Sequence, residues 1–147
     1  MGTYVRLLMV AVVSLSVLFG CSKASKPMPL TKENVVTYMQ KMGTAAKNST
    51  PKDIEEAQGN TGKQKDLYYT SFVEPLEKMG YSYDKTIGAI ASQLLAKTLR
   101  TPDTETTVML SDLLAFAKNS RGIAFRFGFI SKETKELLDQ VSLIFPR

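Results

Sequence analysis

The chain has 147 residues, a formal net charge of +5, a single cysteine, no histidine and no tryptophan. Without histidine, Ser-His and Cys-His nucleophile pairs and His-containing zinc sites are excluded within this chain, and a lone cysteine forms no intramolecular disulfide. The mildly basic balance suits an anionic surface or acidic partner and falls short of the concentrated positive field of a nucleic-acid binder.

The first distinctive element is an apolar run from Val5 to Phe19, with Arg6 as its basic residue, ending at Leu18-Phe19-Gly20-Cys21. At about 15 residues it is shorter than the ~20 that cross a bilayer, and Ser22-Lys23-Ala24-Ser25-Lys26 follows at once. These are the parts of an export signal. Leu18, Gly20 and Cys21 resemble the lipobox of bacterial lipoprotein precursors, with Phe19 where a smaller residue is usual. The resemblance implies cleavage after Gly20, acylation of Cys21 and residence in the cell envelope through a lipid anchor. In a Gram-negative source, Ser22 would imply the outer membrane, facing the periplasm. No activity of the remaining chain follows from it.

Removing residues 1–20 leaves 127 of the 147, and losing Arg6 lowers the formal charge from +5 to +4. That length suits one domain. The organisation expected is a signal peptide at 1–20, an acylated cysteine and flexible tether at 21–31, and an all-α domain of five or six helices at 32–147. The tether is read from Ser22, Ser25, Pro27 and Pro29.

Thr31 reads as the N-cap of a first helix over about 32–41 or a little beyond, with Val35, Val36, Met39 and Met42 at helical spacing and Gly43 loosening its end. Thr50-Pro51-Lys52-Asp53 reads as a capping box opening a short helix to about Gln58. Gly59 to Lys63 reads as a solvated turn; it lacks the glycine spacing and the hydroxyl of a phosphate loop. From Asp66, the residues Leu67, Phe72, Leu76 and Met79 predict a third helix, kinked or split by Pro75 and closed by Gly80. Ser82 caps a fourth helix reaching about Leu99, with Ile87, Ile90, Ala91, Leu94, Leu95 and Thr98 on one face. Gly88 and its neighbouring alanines would let another helix approach closely. Thr101-Pro102 repeats the pattern of Thr50-Pro51 and predicts a fifth helix with Val108 or Met109, Leu113, Phe116 and Ala117 inward. The last helix starts at Ser131, with Leu137, Leu138, Val141 and Ile144 as its stripe.

Between them, residues 123–130 alternate phenylalanine with smaller or charged residues, a strand-like pattern. No second segment offers a partner strand, so a short helix or extended connector is expected. The same stretch partly matches an aromatic RNA-binding motif, but Ile123 and Gly128 stand at two of its aromatic positions.

Catalytic patterns are thin. Glu55, Glu56, Glu74 and Glu105 are carboxylates without an apolar setting, and Ser82-Tyr83-Asp84-Lys85 has the Ser-x-x-Lys spacing without its companion elements. No enzyme, metal or cofactor is indicated. The candidate partner-binding residues are Tyr68, Tyr69, Arg121, Phe125, Arg126, Phe127 and Phe129, because aromatics beside arginine are frequent at interface hot spots. A cleft between the third helix and residues 125–129 is the expected place for a bound peptide or lipid. The function expected is a lipid-anchored envelope protein that binds another envelope protein, with a layout like that of pilotins or exclusion lipoproteins. The alternative is a carrier of a lipid, peptide or small ligand.

Overall fold

A computed structural model describes residues 26–145; the stretch expected to be a signal peptide and Cys21 lie outside the described residues. These form seven helices and no strand among the described residues, an all-α bundle.

Helix α1 is Lys32–Asn48, with the Thr31 hydroxyl accepting from the Asn34 amide at 3.2 Å. It runs past Gly43, beyond the expected end near residue 41. A helical glycine costs only about 1 kcal/mol, and Met39 and Met42 just before it pack against the core. Helix α2 is Pro51–Ala57, opened by the expected capping box: the Thr50 amide donates to Asp53 Oδ2 at 2.7 Å and the Asp53 amide to Thr50 Oγ1 at 3.1 Å.

Helix α3 begins at Thr61, earlier than expected, because Asn60 caps it by accepting from the Lys63 amide at 3.1 Å. Most of the segment read as a solvated turn is therefore a helix start. α3 comprises an α-helical part Thr61–Tyr68, a π-turn Tyr69–Val73 and a last turn Glu74–Glu77. The π-turn is the form that the expected disturbance by Pro75 takes: the Glu74 amide reaches back five residues to the Tyr69 carbonyl. Widening the turn here accommodates a residue that lacks an amide hydrogen and crowds the preceding turn. Tyr38 Oη donates to the Phe72 carbonyl within this turn at 2.6 Å. Gly80 closes α3 at φ +93°.

Helix α4, Tyr83–Leu95, is capped by Ser82 and stops short of the expected Leu99. Lys97 takes a left-handed φ of 57°, and the Lys97 and Thr98 amides bond back to the Leu94 and Gln93 carbonyls. This is the turn that usually employs glycine, so a lysine there gives the sequence no stop signal.

Helix α5, Thr104–Asn119, is capped by Asp103, whose Oδ1 accepts from the Thr106 amide at 2.8 Å, and not by Thr101. Its inward face is Leu110, Leu113, Leu114 and Ala117; Val108 points outward and Phe116 is half-buried. The ambiguous stretch forms a short helix α6, Arg121–Arg126, ended by Gly128 at φ +80°. Helix α7, Lys132–Ile144, starts at Ser131 as expected and buries Leu138 and Val141, while Ile144 is exposed.

The core gathers Val35 and Tyr38 of α1, Tyr68, Val73 and Leu76 of α3, Ile87 and Ile90 of α4, Leu110 and Leu113 of α5 and Leu138 of α7. α4 and α7 run parallel. Near their starts the Ser131 amide donates to Asp84 Oδ1 at 2.7 Å, and near their ends Leu94, Val141 and Phe145 line one pocket. The anticipated close approach is real at Gly88, where a Cβ would lie 2.9 Å from Thr134 Oγ1.

The segment expected to be a free tether is packed from Lys26 onward. Met28 is buried, and its amide donates to Thr86 Oγ1 at 2.9 Å. Proline and serine spacing predicted irregular backbone but carried no information on whether an apolar residue within it would find a pocket.

Candidate functional site

The aromatic residues singled out in the sequence do not surround a cleft. Tyr68, from the last turn before the π-turn, stacks on Phe129 with ring centroids 5.5 Å apart and planes 6° apart. Tyr69 also stacks on Phe129, at 5.9 Å, and Phe72 lies 4.2 Å from Phe116. The expected opening between α3 and residues 125–129 is thus filled by rings. Tyr68 is buried and its hydroxyl bonds to Tyr83 Oη at 2.9 Å and Ser120 Oγ at 3.0 Å. Burial raises the hydroxyl pKa of Tyr38, Tyr68 and Tyr83. Tyr69 is pushed up to about 12, first by its hydrogen bond to the Glu77 carboxylate.

The remaining members of that set divide between inside and outside. Arg121 is held within the fold: its Nε donates to Asp139 Oδ1 and its guanidinium to the Lys118 carbonyl, both at 2.6 Å. Phe125 and Arg126 are exposed and Phe127 is half-buried; Arg126 lies over the Phe127 ring at 5.3 Å, and Lys135 Nζ stands 5.9 Å from the Phe125 ring. Three of the seven residues therefore remain as surface, whereas Tyr68, Tyr69, Arg121 and Phe129 are committed to packing and internal hydrogen bonds.

An open concavity lies elsewhere among the described residues. α1, α2 and α3 enclose an open groove of about 850 Å³. Gln40, Thr44, Asn48 and Ser49 supply hydroxyl and amide groups from the α1 side, Asp53 and Glu56 come from α2, and Lys63, Asp66, Thr70 and Glu74 come from α3. Its apolar lining includes Ala45, Leu67 and Pro75. Two ion pairs edge it, Lys63 to Glu56 at 2.6 Å and Lys78 to Glu74 at 2.7 Å. Thr70 belongs to the π-turn, a local geometry often found at functional sites. No run of residues marked this groove in the sequence. Its lining comes from three helices whose polar faces read, one at a time, as ordinary solvated surface.

A second, smaller pocket of about 220 Å³ lies among Leu94, Leu114, Lys118, Val141 and Phe145. It falls below the ~300–1,000 Å³ usual for drug-sized ligands. Lys118, though buried, has Nζ donating to the Phe145 carbonyl at 2.8 Å, which ties α5 to the end of α7.

The carboxylates weighed for acid-base work sit on the surface: Glu56 and Glu74 edge the groove, Glu105 pairs with Lys32 at 3.3 Å and Glu55 is exposed. Among the described residues no three His, Cys, Asp or Glu side chains converge as a metal site, and no helix is long and apolar enough to cross a membrane. Comparison of the chain with protein-family models, curated proteins and solved structures finds no match.

Proposed function

We propose that this chain is a lipid-anchored envelope protein, held to a membrane through acylated Cys21, that binds a segment of another envelope protein in the groove between α1, α2 and α3. It acts by binding, without a catalytic step or cofactor. The observation that carries the binding reading is the chemistry of the groove. Thr44, Asn48, Ser49 and Thr70 line it beside the apolar side chains of Ala45, Leu67 and Pro75, flanked by charges of both signs. The Thr44, Ser49 and Thr70 hydroxyls donate within their own helices and keep lone pairs to accept from a peptide, and the Asn48 amide can both donate and accept. The anchor rests on the Leu18-Phe19-Gly20-Cys21 motif. A carrier of a long-chain lipid would need a roomy apolar cavity; here the interior is occupied by stacked rings and aliphatic side chains.

The test is photo-crosslinking in cells, with the cross-linking residue placed at Thr44 or Asn48 and, as a control, at the exposed Gln140 of α7. One envelope protein captured from the groove positions alone, and lost in Cys21→Ala, is the expected result. Equal capture from Gln140, or none from the groove despite efficient labelling, would sink the groove as a docking site. A Cys21→Ala protein that is still processed and membrane-bound would defeat the anchor.

A further inference from the structure

The way the chain enters the fold fixes more than its connectivity. The Lys26 carbonyl accepts from the Ser82 amide at 2.8 Å, the Met28 amide donates to Thr86 Oγ1, and the Asn34 side chain donates to the Pro29 carbonyl at 3.1 Å. From Lys26 onward the backbone is therefore part of the domain. Cys21 lies five residues upstream, and five residues span at most about 17 Å when fully extended. A domain of roughly 120 residues has a radius of gyration of about 14 Å and hence a diameter of roughly 35 Å. The leash is shorter than the body it holds, so the domain cannot swing its far end down to the point of attachment.

The end beside Lys26 has its own composition. The starts of α4 and α7 stand side by side there, joined by the Ser131–Asp84 hydrogen bond and by Thr134 against Gly88. Lys26 and Lys85 are exposed without an ion pair among the described residues, and Lys132 has only Glu136 at 3.9 Å. Of the acids at the starts of these two helices, Asp84 is engaged by the Ser131 amide, leaving Glu133 exposed.

We infer that this end, carrying Lys26, Lys85 and Lys132, is the bilayer-facing surface of the protein and contacts anionic phospholipid headgroups. The inference rests on the lipid-anchored reading above.

The absence of tryptophan allows a single reporter to be introduced. Glu133→Trp and Leu143→Trp place it at exposed positions near the two ends of α7, about 15 Å apart along the axis at 1.5 Å per residue. Each chain is reconstituted in vesicles of phosphatidylglycerol and phosphatidylethanolamine containing a headgroup-nitroxide lipid. Quenching several-fold stronger for Glu133→Trp than for Leu143→Trp is expected, with a marked drop when Lys26→Glu, Lys85→Glu and Lys132→Glu are combined. Equal or reversed quenching of the two reporters overturns the orientation. Unchanged quenching in the triple variant, or on vesicles without anionic lipid, overturns headgroup recognition. Mass spectrometry of the purified chain reads the acyl group on Cys21 separately. Where that group is absent the anchor reading fails by itself, and coupling the Cys21 thiol to a maleimide-headed lipid still reads the orientation.

Discussion

Where α4, α5 and α7 meet, Ile87, Ile90, Leu110, Leu113 and Leu138 are almost wholly removed from water and one glycine sets the helix spacing. Across the molecule, α2 and the first half of α3 bury few residues, Ala57 and Tyr68 among them, and face α1 over an open polar groove. The first region is built for stability, since burial of aliphatic side chains is the dominant favourable contribution to folding. The second is held by caps, ion pairs and a π-turn, which keep helices in place while leaving the groove between them open. A small domain can leave one side open only because the other side supplies the core.

Truncation separates the two regions most sharply. Ile87→Ala or Leu138→Ala should cost about 2–5 kcal/mol, as methylene removal from a packed site does, read as a lower urea midpoint. Met28→Ala belongs with them if the docked N-terminal segment is core; a negligible shift would return that segment to a loose tether. Next in size is Gly88→Val, whose added bulk would press on Thr134 and force α4 and α7 apart, at about 1–3 kcal/mol. A thermal melt no different from the unaltered protein would mean that the two helices separate without cost.

Alkaline and acid titrations strike different regions. Burial raises the pKa of Tyr38, Tyr68 and Tyr83, so their contribution is complete below the unfolded value of about 10 and is lost as pH rises beyond it. Absorbance at tyrosinate wavelengths should then rise together with loss of helical circular dichroism. Asp53, Asp103 and Asp139 are held below the ordinary carboxylate range, chiefly by hydrogen bonds from Thr50, the Thr106 amide and Arg121 respectively. Their contribution is present above the unfolded carboxylate value of about 4 and is lost as pH falls through their folded values. All three are surface groups, so the acid effect should be the smaller one. Smallest of all in stability is Asn48→Ala, expected within about 0.5 kcal/mol, yet it should weaken capture of the groove's partner. A variant that captures normally would remove Asn48 from the docking surface.

Several of these elements were legible in the residues alone. The capping box at Thr50 and Asp53, the N-caps Thr31, Ser82 and Ser131, the disturbance at Pro75 and the all-α class depend on interactions within a few residues, which local spacing encodes. The end of α4 was not legible, because Lys97 adopts a conformation that its side chain does not announce. The division of the aromatic set was not legible for a related reason: composition marks rings as suited to interfaces, but only the crossing of α3 with the turn after α6 decides that Tyr68 and Phe129 stack on each other and Phe125 stays outside.

The sequence by itself determined the all-α class, the helix starts at Thr31, Thr50, Ser82 and Ser131 and the limits on chemistry, since these follow from neighbours along the chain and from residue types present or absent. The tertiary structure alone decided that Met28 docks beside Thr86, that Gly88 meets Thr134, and that polar faces of three helices converge on one groove. Each joins residues far apart in sequence, and their proximity is set by packing the whole apolar interior at once.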